Sequence, residues 1–234
     1  MILEVIATSV LDAKLAEEHG ADRIELISGI AEGGVTPSIG LIEQVLKTVD
    51  IPVNVMLRPH ANSFRYDEDD LQVMLRDARA IRDCGAAGIV MGMLNRRNEI
   101  DTAALELLLG ETGKLAVTFH RAFDELADRR SALQLLSSYP AIRKILTSGG
   151  KPSVLDAEEE IAELVTLSAG KTVDILAGSG LQPETLDLFI QRTKVKEVHM
   201  GTGVRINEKA LEPIDPIKLR AAVDIVGRYK SIDG

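Results

Sequence analysis

The reading of the fold turns on Val53–Val90, VNVMLRPHANSFRYDEDDLQVMLRDARAIRDCGAAGIV. It opens with a β-branched run, Val53–Arg58, in which Val53, Val55 and Leu57 alternate with Asn54, Met56 and Arg58. Asp67–Asp70 then supply an acidic first turn, and Leu71, Met74, Leu75, Ala78 and Ile81 recur at helical spacing. Gly85 follows as a helix stop, and Gly88–Gly92 is a second short apolar run. Strand, capped amphipathic helix and strand in succession make a parallel βαβ unit.

Working outward, the same alternation fills the chain. Further strand-like runs are Ile2–Ala7, Arg23–Ile27, Leu115–His120, Arg143–Thr147, Val173–Ala177 and Glu197–Met200. Helix starts are marked by Asp101 and Asp128 as caps, by Pro183, and by Pro216 after Asp215. Gly110 and Gly170 read as further helix stops. Eight strand–helix pairs in 234 residues average about 29 residues each, with no Pro/Gly/Ser-rich linker between them. The expectation is one (β/α)₈ TIM-type barrel, a single α/β domain over residues 1–234, with a doubly wound open sheet as the alternative closure.

Composition narrows the partners. The balance of 27 basic and 36 acidic residues gives −9, which disfavours nucleic acid and anionic membrane surfaces. No apolar run reaches the ~18 residues of a spanning helix, and Met1–Ile6 leads directly into a strand. A cytoplasmic protein handling a small molecule or metal ion is the expectation. The single cysteine, Cys84, excludes internal disulfides and multi-thiolate metal sites.

Strand phase points to the chemistry. Leu3, Val5, Ala7, Ile24, Leu26, Val117, Phe119, Val198 and Met200 share one parity and should pack against the helices. The opposite parity faces inward and carries Glu4, Glu25, Arg58, His120 and His199. Barrel interiors are ordinarily filled by Val, Ile and Leu, so these charges need partners or a wet cavity. The plain reading makes Glu4 and Glu25 internal ion-pair partners of arginines such as Arg58. The functional one notes that Arg58 and His120, followed by Arg121 and Asp124, lie at strand C-terminal ends, where barrel active sites sit. Catalytic candidates are Glu4, Glu25, His120 and Asp124.

Two glycine turns, Thr147-Ser148-Gly149-Gly150 and Ala177-Gly178-Ser179-Gly180, follow the sixth and seventh strands. Such turns let backbone N–H groups approach an anion, although tight βα turns use glycine regardless. Ser148, Gly149, Gly150, Gly178, Ser179 and Gly180 join Arg58 and Arg121 as anion-binding candidates. Gly201-Thr202-Gly203 offers a third donor-rich turn, with Arg205 nearby. His60 reads as a solvated loop histidine, Cys84 as a structural thiol, and Met56, Met91, Met93 and Met200 as core.

At these motifs the sequence resembles the CutC family, named for copper homeostasis. The resemblance rests on Arg23-Ile24-Glu25-Leu26, Gly33 to Ser38, Met56-Leu57-Arg58-Pro59, Thr118 to Asp124, Leu146 to Gly150, and Ala177 to Gly180. It implies a (β/α)₈ barrel, a cytosolic homo-oligomer, copper binding, and mouth residues at Glu4, Glu25, Arg58, His120, Arg121 and Asp124. Relatives commonly carry cysteines where this chain has Ile6 and Ile27, and a basic glycine-rich loop where it has His60-Ala61-Asn62. Copper(I) prefers thiolates, so His120 and His199 are left as weak metal candidates.

Two functions of different class follow. One is copper homeostasis with copper binding, as the resemblance implies. The other is an enzyme using acid–base chemistry on a small anionic, phosphorylated metabolite at the barrel mouth. A ligand-sensing barrel without turnover is a third, plainer possibility. Nothing in the chain suggests a nicotinamide, flavin or pyridoxal cofactor.

Overall fold

The computed structural model describes residues 1–230. Eight parallel strands, β1 (Ile2–Ala7), β2 (Arg23–Leu26), β3 (Val53–Met56), β4 (Gly88–Met91), β5 (Ala116–Phe119), β6 (Ile142–Thr147), β7 (Asp174–Gly178) and β8 (Glu197–Met200), close in sequential order. Pairing of β8 with β1, Glu197 opposite Ile2 and His199 opposite Glu4, completes the barrel and excludes the open sheet. The ring of helices comprises α1 (Val10–Glu18), α2 (Ile39–Leu46), α3 (Glu68–Asp83), α4 (Thr102–Thr112), α5 (Arg129–Leu136), α6 (Glu158–Ser168), α7 (Pro183–Thr193) and α8 (Pro216–Lys230).

Local chemistry sets these boundaries. Asp67 and Asp70 form a reciprocal capping box at the start of α3, each carboxylate accepting from the other's backbone N–H. Ser9, Ser38, Asp101 and Asp128 accept first-turn N–H groups of α1, α2, α4 and α5 in the same way. Gly110 proves not to be a stop. It lies inside α4, which runs on to Thr112 and ends at Gly113. Three residues later than Gly110, that glycine takes a positive φ of 61°.

Period-two alternation divides the apolar residues into two groups. Leu3, Val5, Ala7, Ile24, Leu26, Val53, Val55, Val117 and Phe119 belong to the large core between strands and helices. Ile27, Met56 and Val90, with Ile6 and Ile30 against them, form a separate small cluster inside the barrel. On α3, Met74, Leu75, Ala78 and Ile81 are the buried stripe that faces the sheet. Among the described residues no helix is long and apolar enough to cross a membrane.

Candidate functional site

The barrel interior is built on one buried carboxylate. Glu4 is completely buried, and Arg23 Nε meets its Oε2 at 2.5 Å, while Asn54 Nδ2 donates to the same oxygen at 3.1 Å. His199 Nδ1 lies 2.8 Å from Oε1. A second nitrogen of Arg23 bonds Glu197 at 2.5 Å, and Lys144 Nζ stands 3.7 Å from Glu197. Burial alone would raise the Glu4 pKa, but the Arg23 charge and the His199 and Arg23 hydrogen bonds outweigh it and hold it at about 2. Arg23 is correspondingly raised, the charges of Glu4 and Glu197 overcoming its desolvation. Arg23, and not Arg58, is thus the partner of Glu4. The sequence carries part of the signal, since Arg23 shares the inward parity of Glu25, as Glu197 shares that of His199, but parity alone does not choose between Arg23 and Arg58.

Glu25 and His199 sit one step nearer the mouth. His199 Nε2 is 3.8 Å from Glu25 Oε2, and Glu25 Oε1 is buried without a partner. Burial pushes Glu25 up to about 7, with the Glu4 charge adding and His199 opposing. For His199, desolvation pulls downward, but the charges and hydrogen bond of Glu25 and Glu4 prevail and raise it. Two buried titratable groups, both shifted upward, thus stand side by side at the cavity floor. Room for the imidazole comes from β7: a Cβ on Gly178 would stand 3.0 Å from His199 Cβ.

His120 follows β5 and is buried. Its Nδ1 accepts from the Ala122 N–H at 3.1 Å, which assigns the neutral ring's proton to Nε2, a buried atom without a partner. Burial, reinforced by the Arg58 charge, lowers its pKa to about 3. The ring is therefore a neutral donor at physiological pH. It packs beside Gly92, where a Cβ would come within 2.5 Å of Nδ1. Arg58 gives its terminal nitrogens to the carbonyls of Gly34, Glu32 and Ala61 and lies 4.6 Å over the Phe64 ring, leaving Nε without an acceptor.

The two glycine turns behave differently. After β6, the N–H groups of Ser148 and Gly150 both donate to the Asp124 carboxylate at 3.1 Å, the Thr147 hydroxyl donates to it at 2.5 Å, and Gly149 donates to Thr147 Oγ1. A protein carboxylate thus occupies this cradle, and Arg121 Nε closes it at 2.8 Å from Asp124. Arg121 also reaches Ser148 Oγ at 2.8 Å and Ser179 Oγ at 3.3 Å. After β7, Ser179 and Gly180 border the open space of the mouth, with the Ser179 hydroxyl donating to the Pro152 carbonyl at 2.7 Å. Arg205 stands apart from the mouth, buried against Asp12 at 2.8 Å, where it ties the β8–α8 connection to α1. His60 is half-buried, with Nε2 3.1 Å from Asp70.

The open space is a cavity of about 200 Å³ at the strands' C-terminal ends. Glu25 and His199 lie deepest by strand position, Ile6, Ile27, Met56, Arg58, His120 and Leu146 form the wall, and Phe64, Arg121, Ser179–Leu181 and Gly201–Gly203 form the rim. Glu4, Asp124, Ser148, Gly149, Gly150 and Gly178 do not line it. Phe64 and Leu181 had no sequence signal beyond their neighbourhood to motifs, whereas Leu146 opens the Leu146 to Gly150 motif. Among the described residues, Glu4, Glu25 and His199 alone bring three metal-capable atoms within 4.8 Å of one another. Both Glu4 oxygens and His199 Nδ1 are already engaged, and the Arg23 cation already neutralises Glu4. For copper(I) the donor set does not fit. Ile6 and Ile27 stand in the wall, Met56 is its one sulfur, and Cys84 caps the far end of α3.

A closed barrel with a small charged cavity at the C-terminal face defines a TIM-barrel protein. Residues 1–204 match the CutC family, and the chain belongs to it. A family protein CutC from Klebsiella pneumoniae is 41% identical over 202 residues, covering 86% of this chain and 80% of the relative. One from Yersinia enterocolitica is 39% identical over 201 residues, covering 86% and 78%. A Streptococcus agalactiae chain, solved as a proposed copper homeostasis protein CutC, superposes with a TM-score of 0.80 at 30% identity, over 86% of this chain and 98% of that one. Phosphoribosyl anthranilate isomerase from Thermotoga maritima has a TM-score of 0.65 at 14% identity, over 97% and 100%, and shares the fold.

Proposed function

We propose that this CutC-family chain is a cytosolic protein of copper homeostasis, acting through a small anionic ligand in the barrel mouth and not through a thiolate copper(I) site. The role is supported by family membership over residues 1–204 and by the name of the S. agalactiae relative. The observation that carries the rest is the wall itself: Ile6 and Ile27 remove soft donors, while Arg58 and Arg121 bring two positive charges to the lining. Competition against a copper(I) chelator tests the first point, with wild type and Cys84→Ser side by side. We expect no binding tighter than ~1 nM in either protein, and tighter binding overturns the reading. Inorganic phosphate tests the second: it raises the melting temperature of wild type and has no such effect on His120→Ala. A homo-oligomer, implied by the family, is expected in light scattering.

A second reading, in which the site turns its ligand over, is favoured by the buried Glu25 carboxyl standing 3.8 Å from His199 at the cavity floor. Glu25 is placed to take or return a substrate proton, with His199 and Glu4 behind it compensating the change in charge. His120 and Arg58, which line the same cavity, would stand beside negative charge developing on a substrate oxygen.

A further inference from the structure

Glu4, Glu25 and His199 come from three neighbouring strands, and each is more than nine-tenths buried. Their roles differ. Glu4 is fully engaged: Arg23 and Asn54 hold one oxygen, and the other lies 2.8 Å from His199 Nδ1. A carboxylate paired with arginine is ionised and only accepts, so the neutral imidazole carries its hydrogen on Nδ1 and donates it to Glu4. His199 Nε2 is then a lone pair. It stands 3.8 Å from Glu25 Oε2, too far for a hydrogen bond, and no other group among the described residues bonds either atom. Glu25 Oε1 is sealed in protein, whereas Oε2 and His199 Nε2 are not, and both residues line the mouth cavity. Glu4 and Glu197 are paired with Arg23 and Lys144, but Glu25 has no lysine or arginine in ion-pair contact.

An imidazole lone pair and a carboxylate oxygen without a cationic partner thus stand together at the cavity. These are ligand atoms for a divalent cation. Metal–nitrogen and metal–oxygen bonds of about 2.0–2.2 Å let two atoms 3.8 Å apart share one ion. Glu4 behind His199 supplies the third part of a carboxylate–histidine–metal triad, in which the hydrogen bond to the far ring nitrogen fixes tautomer and orientation. We propose that Glu25 Oε2 and His199 Nε2 hold a first-row divalent cation such as zinc(II), with Glu4 orienting the imidazole and oxygens of water or of a bound ligand completing the shell. The site shares no donor with a thiolate copper(I) centre. It is independent of the small-anion reading, since neither Arg58 nor Arg121 is a ligand. A ligating Glu25 does not carry protons, so this site and the turnover reading are alternatives for the same carboxylate.

Zinc(II) titrated into the metal-stripped whole chain, in competition with a chromophoric chelator, tests it. Zinc is the probe because copper(II) binds a given nitrogen–oxygen set more tightly and discriminates less. Wild type should take up one equivalent. Glu25→Gln, which keeps the shape and removes the charge, should bind at least ~10-fold more weakly, and His199→Ala likewise. His60→Ala removes the histidine of the His60–Asp70 pair, which lies outside the cavity, and should leave the affinity unchanged. No uptake of zinc by wild type at ~1 mM overturns the assignment. Equal affinity in wild type and Glu25→Gln does so too, as does loss of binding in His60→Ala. Should His199→Ala not fold by circular dichroism, Glu25→Gln decides alone. Protection by phosphate against heat reports on the small-anion reading separately, so failure of one leaves the other standing.

Discussion

Replacing Glu25 by Gln isolates the electrostatic cost at the cavity floor. The substitution keeps the shape and removes the charge. In the folded chain Glu25 is held at about 7 by burial, against 4.5 for the free side chain. A carboxyl raised on folding contributes stability that is fully present below pH 4.5 and is lost as pH rises through 7, where the buried group ionises. Each pH unit of displacement corresponds to ~1.4 kcal/mol, so the wild type should lose about 3 kcal/mol across that window relative to the variant. His199 acts in the same direction. Its raised value gives stability present below 6.5 and lost at higher pH, and that contribution weakens once the Glu25 charge is gone. Glu4 and His120 are present in both proteins, so their contributions cancel in the comparison. Urea unfolding followed by far-ultraviolet circular dichroism at pH 4.5 and 8.5 measures the gap. With a slope of ~3 kcal/mol/M, the variant's midpoint should move upward relative to wild type by about 1 M between the two pH values. A gap that stays constant refutes the argument, because it means that Glu25 ionises in the folded chain as readily as in water.

Two further variants probe the frame around the site. Asp124→Ala leaves the Ser148 and Gly150 amides of the β6 turn without their acceptor, and should destabilise the chain by about 2–4 kcal/mol in the same unfolding assay. A loss below about 0.5 kcal/mol would show that water replaces the carboxylate there. Gly92→Ala drives a methyl group against the His120 ring and should cost about 1–3 kcal/mol while displacing the imidazole. The displacement is readable as loss of phosphate protection against heat, and unchanged protection would refute it.

Much of this was legible in advance because two periodicities carry it. Alternation along β1, β2 and β8 separates Leu3 and Val5 from Glu4, and Val198 from His199, and the closed sheet then brings Glu4, Glu25 and His199 together. Caps such as Asp101 and Asp128 announced their helices, since those side chains bond amides only a few residues away. Pairings between distant elements were less visible. Parity places Arg23 and Arg58 on the same inner face, and only the stagger between β1 and β2, with Glu4 opposite Arg23, decides which of them Glu4 meets. The β6 turn reads as an anion cradle because it is one, and its occupant is Asp124, contributed by the segment after β5. Sequence spacing carries no mark of that, nor of the aromatic cover that Phe64 gives Arg58 from the β3–α3 loop.

The aliphatic wall has a consequence for how the protein meets oxidative conditions. Cysteines at positions 6 and 27 would stand on neighbouring strands in one pocket, where peroxide or a disulfide-bearing small molecule would convert them to bulkier forms. Ile6 and Ile27 have no such chemistry. The one thiol, Cys84, lies at the opposite end of α3 with its pKa raised by burial, which keeps it protonated and slow to react. Met56 is the oxidisable atom in the wall, and it is almost wholly buried. Ligand binding in this chain should therefore be indifferent to the cell's redox poise, with the mouth keeping one shape under reducing and oxidising conditions alike.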